Sequence, residues 1–426
     1  IVSRVLLEKS VILGNALIDM YAKSGALAKA QEVLEELHIR DKVSWSALIA
    51  GYVKEAQGHE ALHCFKRMKR EGFYPDWVTL MCVLKACASA GTIRIGKQIH
   101  EEIVNRGFLE KNVMLGNVLV DMYAKWGVLA VARQVLEELP LRDVVSWNSL
   151  IAGYAQHEQG QDALTCFEQM QREGLSPNEV TFICILKACS SVGAIHKGKQ
   201  IHDVIFNGGF LQKNIMLGTT LVDMYAKCGA LTEAQQVLKE LSVRDIVSWS
   251  ALITGYAQEG QGHEALNCFE GMQSEGFSPD AIAFLSALNA CTHSGKLNEV
   301  QSYYDIMSTQ YGITPKLEHQ TCMVVGFGCT GNFDKAMSLI RTIPLSNDPK
   351  LWLALLGACR KWANVNLGRL AFDEAMRIDN NLAAAYMLMS NIYAAAGMQE
   401  DAENIEAMRV KTKARAQKKV GKEHLG

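Results

Sequence analysis

The strongest constraint on this chain is that it repeats itself. The segment from Lys42 reads KVSWSALIAGYVKEAQGHEALHCFKRMKREGFYPD, and that from Val144 reads VVSWNSLIAGYAQHEQGQDALTCFEQMQREGLSPN. A third copy from Ile246 reads IVSWSALITGYAQEGQGHEALNCFEGMQSEGFSPD. The three align without a gap at an offset of 102 residues, with Trp45, Trp147 and Trp249 in register. A chain with such a period folds as a stack of like units rather than as one irregular globule. The 102-residue unit divides further into pieces of 35, 36 and 31 residues. Ten pieces of about this length run from Val11 to Asp348.

Each piece carries the pattern of two short helices. In the first, Leu17, Met20 and Tyr21 fall at i, i+3 and i+4, Ser24-Gly25 breaks the pattern, and Leu27, Ala30, Leu34 and Leu37 trace a second apolar stripe. In the next, Leu48 and Tyr52 precede a break at Gly58. Ala61, Leu62, Phe65 and Met68 follow it, and Gly72 with Pro75 closes the piece. One such pair cannot bury both stripes, so neighbouring pairs must stack. The expected fold is all-α, a right-handed α-α superhelical solenoid of helix-turn-helix repeats. The expected organisation has four parts. Residues 1–10 are the end of a truncated repeat, since Ile1-Val2-Ser3-Arg4 aligns with Ile103-Val104-Asn105-Arg106. Residues 11–348 form the array, 349–415 form two further helical motifs, and 416–426 form a basic tail. A chain that opens inside a repeat is expected to have lost its native N-terminus and any targeting peptide with it.

Composition narrows the functions. The 43 Lys+Arg against 45 Asp+Glu give a formal charge of −2, which excludes a broadly basic nucleic-acid coat but leaves room for a local basic groove. Twelve cysteines are too few for a disulfide scaffold. Cys64, Cys166 and Cys268 recur at the 102-residue interval, as do Cys87, Cys189 and Cys291, and read as small core residues in a reducing compartment. No apolar run approaches the ~18 residues of a membrane span, so no membrane role is expected.

With its 35-, 36- and 31-residue alternation and the phrases VSWNSLIAGYAQ, LVDMYAKCG and LKACSSVG, the chain resembles the plant pentatricopeptide-repeat proteins with alternating repeat lengths. Leu317–Asp348 resembles the variant repeat that closes such arrays. Pro349–Leu382 and Ala383–Arg415 resemble the two TPR-like extension motifs that follow it. After Arg415 the chain reads AQKKVGKEHLG, which departs from the continuation into a zinc-dependent deaminase domain that many relatives carry. The resemblance implies a single-stranded RNA partner in a mitochondrion or chloroplast, a monomeric chain, and a role as site-recognition factor for cytidine-to-uridine editing. The deaminase or an accessory protein would be recruited through 349–415.

It also implies that the fifth and last residues of a repeat address one base together. These pairs are Asn15 with Asp41, Asn117 with Asp143 and Thr219 with Asp245 in the 31-residue repeats. In the 35-residue repeats they are Ser46 with Asp76, Asn148 with Asn178 and Ser250 with Asp280, and the closing repeat gives Thr321 with Asp348. Family pairings of Asn/Asp with U, Asn/Asn with a pyrimidine, and Ser/Asp or Thr/Asp with G give 5′-U-G-x-U-Y-x-G-G-x-G. The 36-residue repeats place Met81, Ile183 and Leu285 at the fifth position and are read as x, because those side chains form no hydrogen bond to a base edge. The apolar second residues Ile12, Val43, Met114, Val145, Met216 and Val247 would sandwich the bases.

Residue physics alone leaves rival readings open. Asp41, Asp143, Asp245 and Asp280 stand where helix caps belong. The second residues could equally face the core. Trp45, Trp147 and Trp249 read as core, whereas Lys23, Lys125 and Lys227 read either as phosphate contacts or as solvated lysines. The stretch from Arg409 to Lys422, with seven basic residues and no acid, reads as an RNA-backbone contact or a frayed terminus. Two functional alternatives remain: a TPR-like protein-interaction scaffold, and an RNA stabilisation or translation factor without editing. No catalysis, cofactor or metal is expected. His100-Glu101-Glu102 matches the H-x-E of a zinc deaminase, but no C-x-x-C accompanies it and its copy reads His202-Asp203-Val204.

Overall fold

The computed structural model describes residues 10–110, 112–211, 214–343 and 348–410. Residues 1–9 of the segment 1–10, expected to end a repeat, and the expected basic tail 416–426 lie outside them. Every regular element among the described residues is an α-helix, as the periodicity predicts. The chain divides into two compact units, Ile1–Phe210 and Leu211–Gly426.

In the first unit, helical hairpins follow one another from Val11–Lys23 with Leu27–Glu36 to Glu179–Val192 with Ile195–Asn207. The first helix of each hairpin packs on its own second helix and on the first helix of the next hairpin, as Lys42–Lys54 does on Val11–Lys23 and on Trp77–Ala90. The second unit repeats this from Ile215–Lys227 with Leu231–Glu240 to Ala383–Ala395, which a last helix over 399–410 follows. First helices therefore lie side by side within each unit, and that places residues one repeat apart within reach of each other.

The close approach has a visible cause. Gly51 and Gly153 face the preceding first helix so tightly that a Cβ there would lie 2.6 Å from the Cβ of Ala22 or Ala124. Within a hairpin the turn needs left-handed backbone, which Gly25 adopts at φ 76°. Trp45 and Trp147 are buried, and Trp147 Nε1 donates to Glu173 Oε2 at 2.9 Å. Trp249 is only half-buried. The six recurring cysteines are buried, and burial pushes the thiols of Cys64, Cys166 and Cys268 up to about 11.

A second recurring tie was not anticipated. Arg40 Nε donates to the Leu34 carbonyl at 2.9 Å while Nη1 reaches Glu71 at 3.1 Å, so one guanidinium joins the end of one hairpin to the next. Arg142 with Glu173 and Arg244 with Glu275 repeat the link. No described helix is long and apolar enough to cross a membrane.

Candidate nucleic-acid interface

In the repeats that end at Asp41, Asp76, Asp143, Asn178, Asp245 and Asp280, the last residue sits immediately before the next first helix, in extended backbone, and its side chain caps that helix. Asp41, Asp143, Asp245 and Asn178 form capping boxes with Ser44, Ser146, Ser248 and Thr181, the third residues of the following helices. Asp76 and Asp280 accept from the backbone N–H of Thr79 and Ala283. The capping reading is therefore correct for these residues. A carboxylate has several lone pairs, however, and the cap occupies only some of them.

The fifth residues bind the same groups from the neighbouring helix. Asn15 Nδ2 donates to both oxygens of Asp41 at 3.1 Å, and Asn117 Nδ2 to those of Asp143 at 3.1 and 3.2 Å. Thr219 Oγ1 lies 3.2 Å from both oxygens of the Asp245 carboxylate and shares its single proton between them and the Ile215 carbonyl at 3.0 Å. Asn148 Nδ2 donates to Asn178 Oδ1 at 3.1 Å, and Ser250 Oγ to Asp280 Oδ1 at 3.5 Å. Ser46 and Asp76 are joined differently, through Thr79. Its Oγ1 is 2.6 Å from Ser46 Oγ and 2.8 Å from Asp76 Oδ1. Thr321 and Asp348 have separate partners, the Leu317 carbonyl at 2.8 Å and the Lys350 N–H at 3.0 Å. Six of the seven pairs are thus connected, and the closing one is not.

Because the amide nitrogens must face the carboxylates, the orientation of Asn15 and Asn117 is fixed. Their Oδ1 atoms are buried without a hydrogen-bond partner among the described residues. Each of these amide oxygens keeps lone pairs that can accept from a donor. Burial alone would push the Asp41 carboxyl up, but hydrogen bonds from Ser44, Asn15 and Val43 hold it below its ordinary value. At Asp76 burial is likewise outweighed, by bonds from Thr79 and the charge of Lys42.

The second residues do not face the core. Ile12 is 83% exposed, and Val43, Met114, Val145, Met216 and Val247 are 50–64% exposed. Val78, Val180 and Ile282, the second residues of the 36-residue repeats, are exposed too, although the sequence reading passed over them. Their recurrence at the 102-residue interval was the signal that could have found them. In the second unit, Val247, Ser250, Asp280, Ile282, Asp223 and Lys227 help line one cleft of about 270 Å³. The recurring lysines are ion-paired one turn back, Lys23 with Asp19 and Lys125 with Asp121 at 2.8 Å in the first unit, and Lys227 with Asp223 at 2.9 Å in the second. A cleft with aliphatic walls, a hydrogen-bonding polar pair and a paired lysine suits a flat heterocycle with a polar edge.

His100 stands against an aromatic side chain. Its Nδ1 lies 3.0 Å from the Tyr123 hydroxyl, and burial lowers its pKa. No group of three or more metal-ligating side chains exists among the described residues.

Family comparisons agree with this architecture. The PPR repeat family model matches residues 40–89, 142–191 and 244–293, the PPR repeat model matches 15–41 and 219–246, and the E motif model matches 362–421. The pentatricopeptide repeat-containing protein At1g06140, mitochondrial, of Arabidopsis thaliana is 35% identical over 92% of this chain and 70% of its own length. At4g33990 of the same family and plant is 35% identical over 94% of this chain and 49% of its own. The chain belongs to the pentatricopeptide-repeat family. It spans about half the length of the first relatives it matches, 49% and 54%. Among solved structures, the pentatricopeptide repeat protein PPR10 in complex with an 18-nt psaJ RNA element superposes with a TM-score of 0.78 at 16% identity, over 95% of this chain and 61% of that one. At that identity the likeness shows the helical-repeat fold alone.

Proposed function

We propose that this chain binds single-stranded RNA in a sequence-specific way and serves as the site-recognition factor for cytidine-to-uridine editing of organellar transcripts. The observation that carries the reading is the cross-helix pair, above all Asn15 with Asp41 and Asn117 with Asp143, where a helix-capping carboxylate orients an amide whose oxygen has no partner among the described residues. That oxygen would accept the imino N–H of uracil, while the exposed aliphatic second residues cover the faces of the base. PPR10 was solved with RNA, and several relatives are named mitochondrial, which supports the same reading. The deaminase or an accessory protein would dock on 349–415, where Trp362 and Met387 are half exposed.

The test is a gel-shift titration at fixed salt with UGxUYxGGxG and with an RNA in which each addressed base is exchanged. Strong preference for the first is expected, and equal binding of both would defeat the reading. The editing role is tested separately, by pull-down of a cytidine deaminase activity from plant organelle extract with and without 349–415.

A further inference from the structure

Two repeats carry the same fifth and last residues, Ser46 with Asp76 and Ser250 with Asp280, yet their geometry differs. Thr79 Oγ1 stands between Ser46 Oγ and Asp76 Oδ1, at 2.6 and 2.8 Å. At the other pair the corresponding residue is Ala283, which has no hydroxyl, and Ser250 reaches Asp280 only at 3.5 Å. The third residue of the following repeat makes the difference.

The Asn148 pair shows the same device. Thr181 Oγ1 accepts from the Asn178 N–H at 3.1 Å and lies 2.7 Å from Asn148 Oδ1. Asn178 Oδ1 already accepts from Asn148 Nδ2 and the Thr181 N–H, at 3.1 and 3.0 Å. Thr181 Oγ1 is also 3.0 Å from that oxygen, but Asn178 Oδ1 is already served by two donors and the 2.7 Å contact is the shorter, so we assign the single Thr181 proton to Asn148 Oδ1. Asn15 and Asn117 lack this bond: Ser44 and Ser146 spend their hydroxyls on Asp41 and Asp143, and the amide oxygens stay unpartnered.

We propose that Thr79 and Thr181 are specificity-determining residues, which set the hydrogen-bonding state of the fifth residue one repeat earlier. The proposal rests on the base-reading function above. With its oxygen engaged by Thr181, Asn148 presents mainly its second amide N–H, which suits the N3 acceptor of cytosine. A freed oxygen would suit the N3–H of uracil.

The experiment measures base preference at each position of UGxUYxGGxG for the full chain, Thr181→Val and Ala283→Thr, with helix content followed by circular dichroism. Thr181→Val keeps the buried shape and removes the hydroxyl. It is expected to shift the fifth nucleotide toward U by about fivefold, the worth of one hydrogen bond, and to leave the other positions alone. Ala283→Thr is expected to raise discrimination at the eighth nucleotide toward that at the second. Unchanged preferences in both variants, while the parent chain reads its bases, would overturn the proposal and spare the base-reading function. A uniform loss at all positions would make Thr181 structural only and overturn it too. No preference anywhere in the parent chain would overturn both.

Discussion

Asn117 Nδ2 donates to both carboxylate oxygens of Asp143, a residue 26 positions further on, at 3.1 and 3.2 Å. The same carboxylate caps the helix Val144–Gln156 through the Ser146 N–H at 2.8 Å. Capping and the proposed base reading thus share one group. The choice between them posed by the sequence is a false one, because a carboxylate accepts from several donors at once.

The two roles separate on substitution. Asp143→Asn keeps a good N-cap, so stability should change by only a few tenths of a kcal/mol, whereas Asp143→Ala should lose about 1 kcal/mol. The Asn variant should nevertheless relax the fourth RNA position from U to either pyrimidine. Urea melts and gel shifts on both variants check this, and an unchanged U preference in Asp143→Asn would count against the pairing.

Val247 is 60% exposed, so its truncation should act on binding and not on folding. Val247→Ser is expected to stay within about 0.5 kcal/mol of the parent in stability. RNA affinity should fall about fivefold, roughly 1 kcal/mol of apolar contact. A large stability loss with intact binding would reverse the assignment.

Trp147 is the opposite case, buried and bonded to Glu173. Trp147→Ala should destabilise the first unit by about 3–5 kcal/mol. Chemical denaturation followed by circular dichroism measures it, and a loss below about 1 kcal/mol would contradict the packing.

The depressed Asp41 carboxyl makes a pH prediction. A group whose folded pKa lies below its unfolded value contributes stability above the unfolded value, about 3.9, and loses it as pH falls through the folded one. Melting temperature should therefore drop on acidification below about pH 4, and Asp41→Asn should drop less. Parallel acid profiles for the two proteins would remove Asp41 from the account.

Thiols pushed up to about 11 by burial are poor nucleophiles at neutral pH. Cys64, Cys166 and Cys268 should label with a thiol reagent at pH 8 far more slowly in the native chain than in urea. Peptide mapping after timed labelling distinguishes the sites, and equal rates would show that these cysteines are accessible.

Much of this was legible in the sequence. The 102-residue period, the paired apolar stripes and the Gly breaks determined hairpin repeats and an all-α fold, because helix pairing and stripe burial follow from local periodicity. The polar variation of Ser46, Asn148 and Ser250 within otherwise similar copies pointed to residues that the structure joins to the last residues of their repeats. Only the tertiary structure decided which way the second residues face, since an apolar residue at the start of a helix fits a core or a cleft equally well. It also decided that Thr79 and Thr181 join Ser46 and Asn148 from 33 residues away. Such contacts depend on how closely neighbouring first helices lie, and no period along one helix encodes that distance.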